Sequence, residues 1–389
     1  MEHLIKKYAD KLVQAGLCNP GEPLIGFLDA DVTWNRDHKL QPELLKVFDH
    51  ITMNSILVAQ PAEPYRTMLE YLAQSGEKAI YPKDCETRLF MHDLPLGRSL
   101  DAATIVQALK HRKSLLVPGQ GIVTYGTVSP EQAFIVYSSV CFALFVKFFS
   151  DYLRETKRGI VSENYRQAFR NVMKTMPKTI DYPPADLMKG PFKNEETVIA
   201  AIIEAGKKTV DYGLVDSFFG NISYYWNDTI YISQTSSSLD ELGSCIDPCP
   251  IDGSSCAGVT ASSELTAHRE IYLRRKIKSI LHGHPKFSVI MSMDCDELNC
   301  EYEGECHRRC PRTRFINGVP IVPGEVGTGP FGLCNTLPKA MEEADAVIVY
   351  GHGVFAVGRQ DYTDAFRKLV QIESDCRKAY FDKIDQEIL

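Results

Sequence analysis

The sequence lacks a concentrated basic segment. Its 43 lysines and arginines are outnumbered by 50 aspartates and glutamates, which gives a formal net charge of −7. The longest basic clusters, Lys110 to Lys113 and Arg274 to Lys278, resemble solvated helix ends. Since proteins that bind nucleic acids normally carry a basic patch, we expect no nucleic-acid partner.

A long unbroken apolar run and a secretory leader are also missing. The most apolar stretch, residues 133–149, is interrupted by Ser138, Ser139 and Lys147, which is atypical of a membrane span. Met1 leads straight into an amphipathic pattern, without the charged and apolar segments of a signal peptide. These absences predict a cytoplasmic protein with no membrane partner.

What the sequence does contain is an internal repeat. Residues 55–61 (SILVAQP) match residues 279–285 (SILHGHP) at an offset of 224. Residues 119–126 (GQGIVTYG) match residues 351–358 (GHGVFAVG) at an offset of 232. In both matches the histidines of the second copy are absent from the first. We interpret the chain as a tandem duplication whose first copy has lost three imidazoles, with chance similarity as the alternative.

The histidines of the second copy form a candidate metal site. His282 and His284 are two residues apart and follow the largely apolar run 277–281. Both imidazoles therefore project from one face of an extended segment. His352 lies between two glycines after the apolar run 346–350, and such glycines permit a sharp turn and a close approach. Three histidine ligands with an open fourth position are typical of a catalytic zinc site, although imidazole also suits other divalent metals.

Glu264 is the candidate acid/base residue. It opens a predicted helix over residues 264–276, preceded by Ser262 and Ser263, which are good N-cap residues. Free N–H groups and hydroxyls at a helix start form an anion site. The alternative is an ordinary first-turn carboxylate that supports the helix dipole. For His268, one turn further on, we expect a supporting or core role.

Seven of the twelve cysteines lie between residues 245 and 310. Without a secretory signal, metal binding or redox chemistry is favoured over a disulfide framework. The last four thiolates predict a second zinc site or an iron–sulfur cluster. They belong to Cys295, Cys300, Cys306 and Cys310. Reduced thiols and disulfides are the alternatives, because the spacings match no strong signature.

Four motifs occur in the order and rough spacing of the class II aldolase/adducin family, which the chain resembles over about residues 195–380. They are Gly220-Asn221-Ile222-Ser223, Ser262-Ser263-Glu264 with His268, His282-Gly283-His284, and Gly351-His352-Gly353. The family includes fuculose-phosphate and rhamnulose-phosphate aldolases and ribulose-phosphate 4-epimerase. The resemblance implies an α/β fold of two three-layer αβα domains with central, mostly antiparallel sheets.

The resemblance also implies a division of the chain. We expect a degenerate domain without metal ligands over residues 1–155, a linker over residues 156–194 and a domain with the metal site over residues 195–389. Within the linker, Pro183-Pro184 and Gly190-Pro191 break regular structure. Family aldolases are typically symmetric tetramers, so a fused pair predicts a homodimer that forms a pseudo-tetramer.

Individual roles follow from the same resemblance. The metal triad, which usually holds zinc, matches His282, His284 and His352. The acid/base carboxylate matches Glu264. Positions that bind a substrate phosphate match Asn221, Thr235, Ser262 and Ser263. A divalent ion would neutralise an enediolate that forms beside the carbonyl of a hydroxyketone, and the carboxylate would move the proton.

We therefore expect a metal-dependent aldolase or epimerase that acts on a hydroxy-carbonyl, sugar-like small molecule. The segment 233–236 lacks the proline and glycine of the family's phosphate loop, and Ser236 occupies space where backbone would meet phosphate. Whether the substrate is phosphorylated is thus left open. The rival interpretations are a metal-dependent decarboxylase or dehydratase, a non-catalytic interaction protein similar to the adducin head, and a metal or redox sensor built on the cysteine loops.

Overall fold

The computed structural model describes residues 2–216, 219–254, 256–297, 300–325 and 329–388. Contacts between elements divide the chain into two compact units, Met1–Pro177 and Lys178–Leu389. The division falls within the segment expected as a linker. The helix Glu163–Met173 belongs to the first unit, so this unit extends beyond the boundary expected at residue 155.

The first unit is a sheet covered by helices on both faces. Its helices are α1 (Glu2–Gln14), α2 (Gln41–Phe48), α3 (Tyr65–Leu72), α4 (Cys85–Met91), α5 (Ala102–Leu109), α6 (Pro130–Lys157) and α7 (Glu163–Met173). Its strands are β1 (Leu24–Leu28), β2 (Val32–Trp34), β3 (Ser55–Ala59), β4 (Ala79–Ile80), β5 (Leu94–Pro95), β6 (Ser114–Val117) and β7 (Gly121–Gly126). The sheet has the antiparallel order β2-β1-β3-β7-β6. Helices α2 and α5 pack on one face, and α1 and α6 pack on the other.

The second unit has the same layered design. Its helices are α8 (Glu195–Asp211), α9 (Leu265–Arg274), α10 (Lys286–Met293), α11 (Leu333–Ala340) and α12 (Thr363–Ile388). Its strands are β8 (Asn221–Trp226), β9 (Thr229–Ser233), β10 (Ile246–Pro250), β11 (Ser279–Gly283), β12 (Arg314–Ile316), β13 (Val319–Val322), β14 (Ala346–Val349) and β15 (Gly353–Gly358). The sheet order is β10-β9-β8-β11-β15-β14-β13-β12, with β13 and β14 parallel and the other pairs antiparallel. Helices α9 and α11 cover one face, and α8, α10 and α12 cover the other. The expected α/β class with mostly antiparallel sheets is confirmed.

Helix α6 is the apolar core helix of the first unit. By length and composition alone it is apolar enough to cross a membrane, although the interrupted run in its sequence argued otherwise. Its most apolar window is 78% buried inside the protein, and Phe142, Phe148 and Phe149 are almost completely buried. Its apolar surface is therefore used in packing within the unit.

The two sheets share a strand order and a register. The order β2-β1-β3-β7-β6 in the first unit corresponds to β9-β8-β11-β15-β14 in the second. At the sequence offsets of 224 and 232, the pair Ser55↔Gly126 becomes the pair Ser279↔Gly358. This agreement supports tandem duplication, which stays our prediction. The second unit adds β10 at one edge of its sheet and β12 and β13 at the other.

Gly121 provides a test of this shared scaffold. Its φ is +136°, and a Cβ atom would lie 2.7 Å from the carbonyl oxygen of Ala59 on the paired strand. We expect Gly121→Ala to lower the free energy of unfolding by about 2–4 kcal/mol, measured by urea denaturation. In the control Gly119→Ala, φ is +74° but the space is open, so we expect only the backbone penalty of about 1–2 kcal/mol. Equal losses in the two variants would contradict the steric argument.

Candidate metal centre

The three histidines expected as ligands meet at one end of the second sheet. His282 lies on β11, His284 follows the end of that strand, and His352 lies in the turn between β14 and β15. The antiparallel register pairs His282 with Phe355, which brings the end of β11 against this turn. Gly351 adopts φ +60° just before His352, a conformation that favours glycine.

Gly353 makes the close approach possible. A Cβ atom at this position would lie 2.4 Å from the Gly283 carbonyl oxygen, 2.8 Å from His282 Cε1 and 3.0 Å from His284 Cδ2. These separations are too short for any side chain without movement of the backbone. Glycine is therefore required at position 353 because any side chain would clash with the neighbouring strand end. The sequence pattern indicated this only in general terms.

The Nε2 atoms of the three rings converge. The Nε2 atom of His282 is 2.9 Å from that of His284 and 3.1 Å from that of His352, and all three residues are at most 2% exposed. His282 Nδ1 lies 3.0 Å from the Val354 carbonyl oxygen. When Nδ1 carries the proton, it donates a hydrogen bond to that oxygen, and Nε2 keeps a lone pair that can bind a metal ion.

Two aromatic rings hold the imidazoles in place. Phe355 stacks on His282 with ring centroids 3.8 Å apart, and Phe219 stacks on His284 at 5.2 Å. Sequence reasoning missed both contacts. Phe355 lies two residues beyond the Gly-His-Gly motif on β15, and this proximity is the one signal that could have indicated it.

The donor set fits a divalent metal ion. Burial lowers the pKa of His282 to about 3, against an opposing effect of Glu264, and burial also lowers the pKa of His284 well below its usual value. Both rings are therefore neutral and offer lone pairs to a common point. Ligand atoms at the corners of a tetrahedral zinc site with bonds of about 2.0–2.1 Å lie about 3.3–3.4 Å apart. The observed Nε2 separations are slightly shorter than this spacing.

Glu264 completes the cluster. Its Oε1 is 3.2 Å from His352 Nε2, and its Oε2 is 3.6 Å from His282 Nε2. Asn221 Nδ2 donates to Oε2 at 2.6 Å. Burial acts to raise the pKa of this carboxyl, but the two histidines and the Asn221 hydrogen bond together hold the pKa well below its usual range. The carboxylate is thus ionised beside the three imidazole nitrogens.

The sequence of residues 200–380 matches the family described as the Class II Aldolase and Adducin N-terminal domain. This part of the chain belongs to that family. Among curated proteins, no significant match was found. L-fuculose-1-phosphate aldolase from Thermus thermophilus is 21% identical over 49% of this chain and 96% of its own, with a TM-score of 0.39. YgbL from Klebsiella pneumoniae is 18% identical over 50% of this chain and 99% of its own, with a TM-score of 0.38.

The class II aldolase domain brings two of the four expected phosphate ligands to Glu264. Asn221 binds its carboxylate, and Ser262 Oγ accepts a hydrogen bond from the Glu264 N–H at 3.3 Å. Thr235 and Ser263 are exposed. The expected cap was wrong: α9 begins at residue 265 with Glu264 as its N-cap residue, and neither serine has that position.

A further carboxylate lies in this part of the class II aldolase domain. Asp247 on β10 is 9% exposed and accepts hydrogen bonds from Gln234 Nε2 at 2.9 Å and from Thr260 Oγ1 at 2.6 Å. These bonds brace the turn 234–237, in which Ser236 adopts φ +60°. Sequence reasoning treated this segment only as a cysteine-rich loop, and a single aspartate in it gave no usable signal.

A second metal centre at the cysteines of the class II aldolase domain stays a prediction. Among the described residues, the ligand atoms of the three histidines lie within 4.8 Å of one another, and no group that includes these cysteines has that spacing. No disulfide is formed among the described residues. The four cysteines expected to hold zinc or an iron–sulfur cluster are half-buried. They are Cys295, Cys300, Cys306 and Cys310.

The first unit has none of these ligands at the matching positions. At the same offsets, Val58, Gln60 and Gln120 replace the three histidines. Leu40, the N-cap residue of α2, corresponds to Glu264, the N-cap residue of α9. The scaffold therefore forms without the triad and the carboxylate, and their presence in the aldolase domain calls for a functional reason.

We expect the full chain to bind about one equivalent of zinc tightly, because three imidazoles and one carboxylate converge there. The double variant His282→Ala, His284→Ala should lose this equivalent, measured by metal analysis after dialysis. The matched control His50→Ala, His111→Ala removes two exposed histidines of the first unit and should retain it. A triad variant that keeps all its metal would contradict the site.

Proposed function

We propose that the second unit is a metal-dependent lyase of the aldolase type. It would form or cleave a carbon–carbon bond beside the carbonyl group of a hydroxy-carbonyl, sugar-like small molecule. The observation that supports this most strongly is the convergence of His282, His284 and His352 Nε2 on the carboxylate of Glu264. Family membership supports the class of reaction.

His282, His284 and His352 would hold the metal ion, and we expect zinc because three imidazoles and an open position are typical of catalytic zinc. When bound, such an ion polarises a carbonyl oxygen as a Lewis acid and stabilises negative charge on the adjoining atoms. The backbone carbonyl of Val354 orients His282 for this role through Nδ1. Phe355 and Phe219 keep the surroundings apolar, which strengthens electrostatic interactions.

Glu264 would move the proton. An ionised carboxylate within about one hydrogen-bond length of the ligand nitrogens can accept a proton from the substrate hydroxyl or carbon next to the carbonyl. Asn221 binds Oε2 of Glu264 and leaves Oε1 facing His352. Asn221 would therefore orient the base. The Oδ1 atom of Asn221 is buried without a hydrogen-bond partner among the described residues.

The exposed hydroxyls of Thr235 and Ser263 would bind the far end of the substrate. The turn that carries Thr235 is braced by the buried carboxylate of Asp247, and Ser236 adopts a left-handed conformation there. The negative charge of Asp247 and the side chain of Ser236 both disfavour binding of a phosphate dianion at this turn. We therefore propose a substrate whose distal group is a hydroxyl in preference to a phosphate.

The same residues would also serve an epimerase or a decarboxylase, because each of these reactions generates negative charge beside a carbonyl. The products distinguish them: an aldehyde and a ketone from cleavage, an isomer from epimerisation, and carbon dioxide from decarboxylation. For a non-catalytic interaction protein, another of the rivals, a carboxylate of Glu264 held against three buried imidazoles would serve no purpose.

Replacement of Glu264 by Gln tests the reaction. With the metal bound, we expect Glu264→Gln to lower kcat by about 10²–10⁴-fold, the range typical for loss of a general base. The measurement is product formation from a panel of hydroxy ketones and aldehydes, each with and without a phosphate group. The control Glu270→Gln alters a carboxylate on the same helix α9 and should keep full activity. Unchanged turnover in Glu264→Gln would exclude this role.

We also propose that the chain forms a homodimer. Closed dimers are the commonest symmetric assemblies, and two chains of two units each would give the four units of a family tetramer. Light scattering of the purified full chain should then give twice the chain mass of 43.7 kDa. A monomeric mass with full activity would contradict this assembly.

A further inference from the structure

A buried carboxylate on α12 binds the start of α10. Glu373 is 4% exposed. Its Oε1 accepts a hydrogen bond from the Phe287 N–H at 3.0 Å, and its Oε2 accepts from the N–H and the hydroxyl of Ser288, both at 2.9 Å. Burial raises the pKa of this carboxyl, against the effect of these bonds. Three donors thus replace the water that the carboxylate has lost.

These hydrogen bonds lie directly after His284. Helix α10 begins at Lys286, and its N-cap residue Pro285 offers no side-chain hydrogen bond. The first N–H groups of a helix have no partner within the helix, and its dipole favours a negative charge there. Glu373 therefore caps α10 from another helix and fixes the backbone just beyond His284.

The other end of α10 holds the turn that carries His352. Ser292 Oγ accepts a hydrogen bond from the Gly351 N–H at 2.8 Å and donates to the Val289 carbonyl oxygen at 2.7 Å. Ser292 is fully buried. Because a two-turn helix is stiff, the bonds at its two ends couple the backbone beside His284 to the backbone beside His352.

The first unit shows that the fold does not require this carboxylate. At the offset of 232, Glu373 on α12 corresponds to Cys141 on α6. Cys141 is fully buried, so an uncharged side chain satisfies the same place in the packing. The carboxylate is found in the unit that has the three histidines, and its corresponding position in the other unit is apolar.

We propose that Glu373 and Ser292 are positioning residues for the metal centre. They hold the two ends of α10, and through its backbone they set the separation of His284 and His352. This inference rests on the proposed metal site, because the separation matters only when both rings bind one ion. Sequence reasoning missed Glu373, although helical spacing places this charged residue on the same helix face as the apolar Ile372 and Cys376, which is a usable signal.

Cobalt binding to the metal-free full chain tests the proposal. We expect Glu373→Gln to raise the Kd for Co²⁺ about 10–100-fold, the usual cost of losing a group that orients a metal ligand. The absorption bands of bound Co²⁺ should change as well, because they report ligand geometry. Ser292→Ala removes the acceptor for the Gly351 N–H and should change the Kd and the bands in the same direction.

Ile372→Val is the matched control, since it removes one buried methylene beside Glu373 on α12. It should lower the thermal midpoint without changing the Kd. Wild-type cobalt binding in Glu373→Gln and Ser292→Ala, or equal weakening in Ile372→Val, would overturn the proposal. If Glu373→Gln does not fold, Ser292→Ala decides by the same criteria. Cobalt binding that persists in His282→Ala, His284→Ala would instead refute the metal site, and the positioning role with it.

Discussion

The close approach of two neighbouring strand ends is the constraint on which this protein depends. In the second unit Gly353 lies against the Gly283 carbonyl oxygen, and in the first unit Gly121 lies against that of Ala59. No side chain fits at either glycine. In the second unit this approach brings three imidazoles within reach of one ion, so the backbone determines where the centre lies and the side chains determine its chemistry.

Burial of the three imidazoles and of the Glu264 carboxylate costs free energy, which a bound metal ion would offset. Three imidazoles and a carboxylate have left water, and the compensating hydrogen bonds reach only some of their polar atoms, among them His282 Nδ1 and Glu264 Oε2. Unsatisfied buried polar groups cost free energy, and a bound cation recovers it. The proposed metal site would therefore be preorganised at the expense of the stability of the unit.

In the first unit, apolar residues occupy two positions that correspond to the candidate ligand and the acid/base residue of the second unit. Val58 and Leu40 stand where the second unit has His282 and Glu264, and both contribute to the packing of the first sheet. Replacing both partners of a buried polar interaction by apolar groups is close to neutral or stabilising, whereas removing one partner is costly. Under the predicted duplication, a copy released from metal binding would lose all of its ligands together, and the first unit has none of them at the matching positions.

The sequence by itself determined the features that depend on local spacing. The two-residue period of a strand places His282 and His284 on one face, and the family resemblance indicated the layered sheets. Only the tertiary structure decided that Glu264 turns its carboxylate to the histidines, that Asn221 binds it, and that Glu373 caps a helix 86 residues earlier in the chain. These contacts join elements far apart in the chain, and packing between such elements leaves no periodic trace in the sequence.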